Sequence, residues 1–215
     1  MNALTRNAWW SGAMGNLRTE FELYGVQARR DAAEYANVYA GRRAVMVFDV
    51  VASRRRKYET RVARMVEQYA GDAPTLGSLA TDGPGDGYGL RDGEGETMRQ
   101  VAAGLLRFGA ERELDDEQAI KSWADSVAEF EHAAKLDPYV GAVKGIGLAL
   151  FAYLRMRCGA DAIKPDVRVR RALVRLGFRV PGDEHAVLVV CGAAAVELGV
   201  SKLVLDQLLW WSDTR

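Results

Sequence analysis

Apolar residues recur at three- and four-residue intervals along most of this chain, and this spacing limits its fold more than any other feature. It is typical of helices that bury one face, and no segment alternates apolar and polar residues for long enough to predict a strand. We therefore predict an all-α protein. The predicted helices cover residues 31–56, 58–69, 96–110, 115–136, 148–158, 165–176, 184–198 and 201–211, with a single turn at 78–80.

A glycine-rich segment interrupts this pattern between residues 82 and 95, where six of the fourteen residues are glycine. Clustered glycines favour turns and loops, so we predict a mobile connector here. A phosphate-binding loop is excluded because no Lys-Ser or Lys-Thr pair follows the glycines, and a dinucleotide fingerprint is excluded because no strand precedes them.

Composition removes several classes of protein. The chain has 215 residues and only two cysteines, Cys158 and Cys191, which argues against a disulfide framework or an iron–sulfur cluster. His132 and His185 have no partner at metal-binding spacing, so we predict no metal. No apolar run reaches the roughly 18 residues of a membrane span. We expect one two-lobed unit over residues 1–215, monomeric and cytoplasmic, with no membrane contact.

Charge is balanced overall but uneven along the chain. The 29 basic side chains equal the 29 acidic ones, so bulk charge does not predict binding to a polyanion. Any nucleic-acid contact must come from local basic patches, of which residues 54–57 form one and the arginines between 168 and 179 form another. Taken alone, each patch is explained by a solvated face.

The most informative segment is 138–177. It predicts a short helix, a tight turn at Gly145-Ile146-Gly147, and a second, apolar helix. Backbone N–H groups at such a turn can bind a phosphate without any side chain, although a purely structural turn has the same sequence. Downstream, Pro165-Asp166 opens a helix that is rich in arginine. Asp166 has the position of an ordinary N-cap, which is the structural alternative to any chemical role.

This segment resembles the helix-hairpin-helix DNA glycosylase superfamily, which combines a Gly-Ile-Gly or Gly-Val-Gly hairpin, an apolar helix and an aspartate at the next helix start. Asp166 follows Gly147 by 19 residues, close to the family's separation. Residues 45–69 are similar to the family's early helix, base-wedge loop and next helix; residues 88–91 and 203–211 resemble two further family segments. The resemblance covers roughly residues 45–212, and its fold implication is a two-lobed all-α bundle with a helix-hairpin-helix motif.

The resemblance implies a DNA glycosylase that flips a base out of double-stranded DNA and hydrolyses its N-glycosidic bond, with Asp166 as the catalytic carboxylate. The lysine that bifunctional members carry two residues after the hairpin is replaced here by Ala149, and Lys144 is displaced from that position. The family pattern therefore implies a monofunctional enzyme that leaves an abasic site. Pro165 is followed directly by Asp166, without the family's intervening apolar residue.

The resemblance also implies DNA-binding residues and a base pocket. The residues expected to contact phosphates are Lys144, Gly145, Gly147, Arg168 and Arg171. The wedge loop, residues 53–55, would place Arg54 in the gap left by the flipped base, with Arg55 beside it. The expected pocket walls are Tyr35, Tyr39, Phe48, Trp9 and Trp10. No cofactor is expected, although hairpin carbonyls of the family often hold a monovalent cation.

The excised base is left open among damaged, mismatched and modified bases. The long glycine-rich loop and the N-terminal 45 residues hint at a non-standard pocket, such as one for hypermodified phage bases like glucosylated hydroxymethylcytosine, in a defence role. Two alternatives stay open. One is a non-catalytic helix-hairpin-helix DNA-binding module. The other is a helical interaction protein without nucleic acid, which the acidic segment 91–140 would suit.

Overall fold

A computed structural model describes residues 3–213, and within that range the protein has ten α-helices and no strand. The predicted all-α class is therefore confirmed. The helices are α1 (Trp10–Glu34), α2 (Arg43–Ala52), α3 (Ala63–Gly71), α4 (Leu76–Asp82), α5 (Glu94–Ala110), α6 (Asp116–Ser126), α7 (Leu148–Arg157), α8 (Val167–Arg175), α9 (Glu184–Leu198) and α10 (Lys202–Ser212). A π-helical turn, Tyr58–Val62, precedes α3, and short 3₁₀ turns cover Leu4–Arg6, Asn37–Tyr39, Ala128–His132 and Ala134–Leu136.

The prediction of one helix over residues 31–56 is wrong. The helix that contains Asp31 begins at Trp10 and ends at Glu34, and α2 begins only at Arg43. Between them Gly41 has a φ of +68°, a left-handed conformation that no helix can contain, and its N–H group donates to Glu117. Three glycines within α1 dilute its apolar pattern, so the whole of α1 before Asp31 was missed.

The helix predicted over residues 115–136 is also wrong in its second half. It ends at Ser126, and two 3₁₀ turns follow. The Trp123 carbonyl accepts both the Ser126 hydroxyl at 2.8 Å and the Val127 N–H group at 3.2 Å, and Val127 leaves the helical conformation with a φ of −106° and a ψ of 19°.

The chain divides into two compact units. In the first, comprising the described residues up to Tyr35 and from Asp161 onward, α1 packs against α10. Its core is built from apolar side chains of α1, α8, α9 and α10 and of the loop after α8; the larger members are Trp10, Met14, Leu17, Leu173, Phe178, Leu188, Leu205, Leu208 and Leu209.

The second unit, Ala36–Ala160, is built around α2. Every residue of α2 from Ala44 to Ala52 is buried, since α3, α5 and α7 pack against it. The only charged side chain in that buried stretch is Asp49.

Among the described helices, none is by itself both long and apolar enough to cross a membrane; α9 and α10 reach the required length and hydropathy only together, and they are bent by 101° at their junction.

Candidate functional site

Asp166, the predicted catalytic carboxylate, is the N-cap of α8. Its Oδ1 accepts the backbone N–H groups of Arg168 at 2.9 Å and Val169 at 3.0 Å. Its Oδ2 lies 3.5 Å from Lys164 Nζ, and the side chain is 30 % exposed. The predicted cap is therefore present. One oxygen is committed to the cap, which leaves Oδ2 as the atom that a water molecule or substrate could reach.

The predicted phosphate-binding arginines of α8 are engaged with one acidic residue in the same unit. Arg171 forms a close ion pair with Asp213, and Arg168 Nε lies 3.4 Å from the same carboxylate. Hydrogen bonding from Arg171 holds the pKa of Asp213 below its usual range. Arg168 also lies over the ring of Trp210, 4.7 Å from its centroid. A phosphate that used these arginines would have to compete with Asp213.

The predicted hairpin is present as a turn, but the helix expected before it is not. Residues 138–144 form successive turns, because the Asp137 carboxylate accepts the N–H groups of Val140 (3.0 Å) and Gly141 (2.8 Å) and fixes the chain there. Gly145 has a φ of +96°, and Gly147 is the N-cap of α7. No side chain caps α7, so its first-turn N–H groups are available to an anion.

The hairpin is packed closely against α5. A Cβ atom at Gly145 would lie only 2.7 Å from Thr97 Oγ1, and that hydroxyl donates to the Lys144 carbonyl at 3.0 Å. The same Cβ position is 3.3 Å from Arg54 Nη1. The structure therefore brings the predicted wedge residue Arg54 beside the hairpin, within the second unit.

A buried carboxylate organises the predicted wedge loop. Glu94 is fully buried; it accepts two hydrogen bonds from Arg56, at 2.8 and 2.7 Å, and its Oε1 lies 3.7 Å from Arg54 Nη2. Arg91 donates to the carbonyls of Arg54 (3.1 Å) and Arg55 (3.2 Å). Arg55 itself has a φ of +54° and is exposed. Sequence reasoning missed the roles of Glu94, Arg56 and Arg91, because the pairs join residues more than thirty positions apart.

The glycine-rich segment that joins α4 to α5 makes contacts at two points, and its mobility stays a prediction. The ring of Tyr88 packs against Phe48 and Tyr69, with centroids 5.6 and 5.2 Å away, and its hydroxyl donates to Asp72. At the end of the segment, the buried carboxylate of Glu94 accepts the Arg91 N–H group at 2.8 Å. The glycines thus let the backbone turn between two fixed points.

The predicted pocket residues are not brought together within either unit. Trp9 and Trp10 pack edge-on around Phe178 in the core of the first unit, and the half-buried Tyr35 belongs to that unit as well. Phe48 belongs to the second unit and stacks on Tyr69 at 4.3 Å. Trp10 and Phe48 are buried, and Trp9 is partly buried against the core of the first unit, so their role as pocket walls stays a prediction.

Tyr39 lies in a polar cluster that the sequence did not reveal. Asp49 Oδ2 accepts the Tyr153 hydroxyl at 2.8 Å, and Arg157 Nη2 lies 3.6 Å from the same oxygen. The Arg157 guanidinium also lies over the Tyr39 ring, 5.1 Å from its centroid. Burial and the negative charge of Asp49 raise the pKa of both Tyr39 and Tyr58. An aspartate inside an apolar helix was the only signal for this cluster.

Residues 3–213 hold no group of three or more His, Cys, Asp or Glu side chains close enough to bind a metal ion. Cys158 and Cys191 are both buried and are not joined in a disulfide. In the first unit, an open depression of about 480 Å³ is lined by Arg170, Val174, Phe178, Arg179 and Pro181, and it includes none of the predicted site residues.

Comparison of the chain with protein-family models, with curated proteins and with solved structures found no match.

Proposed function

We propose that this protein is a monofunctional DNA glycosylase of the helix-hairpin-helix type, which binds double-stranded DNA, flips out a damaged or modified base and leaves an abasic site. The observation that carries the proposal is the environment of Asp166. Its carboxylate is fixed by two backbone hydrogen bonds through one oxygen, while the other oxygen stays partly exposed beside Lys164.

The reaction needs one fixed carboxylate. Breaking the bond between C1′ and the base nitrogen leaves positive charge on the sugar, and the bonding electron pair departs with the base. An ionised Asp166 would stabilise that charge and accept a proton from the water that attacks C1′. The absence of lysine at Ala149 agrees with water as the nucleophile.

The second unit would supply the phosphate contacts. The uncapped first turn of α7 and the adjacent Lys144 offer N–H groups and a positive charge, and Arg54 lies beside them. Because Arg54 and Arg55 belong to a loop held by Glu94 and Arg91, they would meet DNA already ordered.

The test is base release by the Asp166→Asn variant, with Asp183→Asn as its matched control. Asp183 caps α9 in the same unit by accepting the His185 N–H group at 3.0 Å, so it shares the capping geometry of Asp166. Asparagine caps helices about as well as aspartate. Both variants should therefore fold and bind DNA, and only Asp166→Asn should lose the production of abasic sites.

A second candidate is a non-catalytic DNA-binding module. It is favoured by one observation: two first-turn N–H groups of α8 already use Asp166 Oδ1, which a purely structural cap would also show. Salt-dependent DNA binding without base release from any tested DNA would select this candidate.

A further inference from the structure

Asp49 is a charged residue in a position that normally excludes charge. It lies in α2, whose residues Ala44–Ala52 are all buried, and its own side chain is completely inaccessible to solvent. A carboxylate in such a place is retained only when partners replace the water that it has lost. The identity and number of those partners therefore decide what Asp49 can do.

The two oxygens of Asp49 differ. Oδ2 accepts the Tyr153 hydroxyl at 2.8 Å and lies 3.6 Å from Arg157 Nη2. Oδ1 is equally buried but accepts no hydrogen bond from any described residue. Buried acceptors without a partner are rare in folded proteins, and such an atom points to a ligand that completes it.

The surroundings of Asp49 are rich in tyrosine. Tyr39, Tyr58 and Tyr153 contribute aromatic rings and hydroxyl groups to the cluster. Tyr58 is the most exposed member of the cluster, and it begins the π-helical turn that follows the wedge loop. Single π-helical turns occur frequently at functional sites. A ligand that approached Asp49 past Tyr58 would have to displace that ring.

We propose that this cluster is a recognition subsite for a nucleobase that carries an exocyclic amino group, with Asp49 Oδ1 accepting a hydrogen bond from that amino group. A carboxylate accepts hydrogen bonds and donates none, so it selects a base with an N–H group at this edge over one with a carbonyl. Tyrosine rings would stack on the base. This inference rests on the proposed function, because a base reaches such a site only after it has left the DNA helix.

The test compares two duplexes that differ at one atom group. Each carries a single base opposite an abasic-site analogue, cytosine in one and pyrimidin-2-one in the other, so that the only change is the amino group at C4, which is replaced by hydrogen. Dissociation constants are measured by fluorescence anisotropy in the Asp166→Asn variant, which is expected to release no base. We expect cytosine to be bound about tenfold more tightly, the ratio that one hydrogen bond to a charged group supplies.

Two further substitutions in the same background separate recognition from structure. Asp49→Asn replaces the charged acceptor by a neutral amide, so the preference for cytosine should fall or disappear. Tyr153→Phe removes the hydroxyl on Oδ2 and leaves Oδ1 unchanged, so the preference should persist. Thermal unfolding establishes that each variant is folded. If Asp49→Asn is unfolded, the ratio of the two dissociation constants measured with Asp49 in place tests the proposal by itself.

Equal affinity for the two duplexes with Asp49 present, or an unchanged preference in Asp49→Asn, would overturn the subsite while leaving the proposed glycosylase intact. Failure to bind either duplex at low salt would overturn both, because the subsite presupposes DNA binding.

Discussion

Replacing Glu94 by alanine should destabilise the protein by about 3–5 kcal/mol, the cost of removing one partner from a buried ion pair. The Glu94 and Arg56 side chains are 0 % and 1 % exposed, and two hydrogen bonds join them. Without Glu94, the Arg56 guanidinium keeps its contacts to the carbonyls of Ala52 and Gly89 but has no counter-charge. The free energy of unfolding, measured by urea denaturation, reports this loss directly.

Glu96→Ala is the matched control for Glu94→Ala. It removes an acidic residue from the same first turn of α5, but its partner Arg99 is exposed, so the unfolding free energy should scarcely change. The Glu94 substitution should also weaken DNA binding, since Arg54 loses the carboxylate 3.7 Å away. Similar unfolding free energies for the two variants would refute the assignment of Glu94 as the residue that holds the wedge loop in place.

Three further predictions concern the hairpin and α8. Gly145→Ala should lower the free energy of unfolding by about 1–3 kcal/mol, because alanine is strained at a φ of +96° and would meet Thr97. Gly147 has an ordinary φ and open space around it, so Gly147→Ala should leave the free energy of unfolding, measured by urea denaturation, nearly unchanged. The pKa of Asp213 is lowered in the folded state, so its ionised form stabilises the fold fully above the unfolded pKa of about 3.9. This stabilisation should be lost as the pH falls toward the pKa that Asp213 has in the folded protein. Arg171→Gln should therefore flatten the dependence of the unfolding free energy on pH between pH 6 and 3. Lys144→Gln should reduce the slope of log K against log salt for duplex DNA by about 0.9, and an unchanged slope would remove Lys144 from the phosphate contacts.

Local patterns in the sequence predicted the parts of the structure that depend on neighbouring residues. The helix starts at Asp166, Asp183 and Ser201 are confirmed, because in each cap the side-chain oxygen accepts a hydrogen bond from a backbone N–H group two or three residues ahead. The sequence did not predict the left-handed conformation of Gly41 or the 3₁₀ turns after Ser126, because the apolar spacing continues through both.

The polar clusters could not be predicted from the sequence. Arg56 and Glu94 are separated by 38 positions, and Asp49 and Tyr153 by 104. These pairs form only when helices pack, and a single sequence carries no periodic signal for them. The base pocket stays a prediction for a related reason: aromatic residues that suit a stacked base suit a hydrophobic core equally well, as Phe48 on Tyr69 shows.

The most direct measurement of the central proposal is mass spectrometry of free bases released from DNA. The substrates would be a panel of damaged and mismatched duplexes together with genomic DNA from phages that carry modified bases. We predict that the protein releases one class of base, leaves alkali-labile abasic sites in equal number, and that Asp166→Asn abolishes release while Asp183→Asn retains it. Release that persists in Asp166→Asn, or no free base from any of these DNAs, would contradict the account.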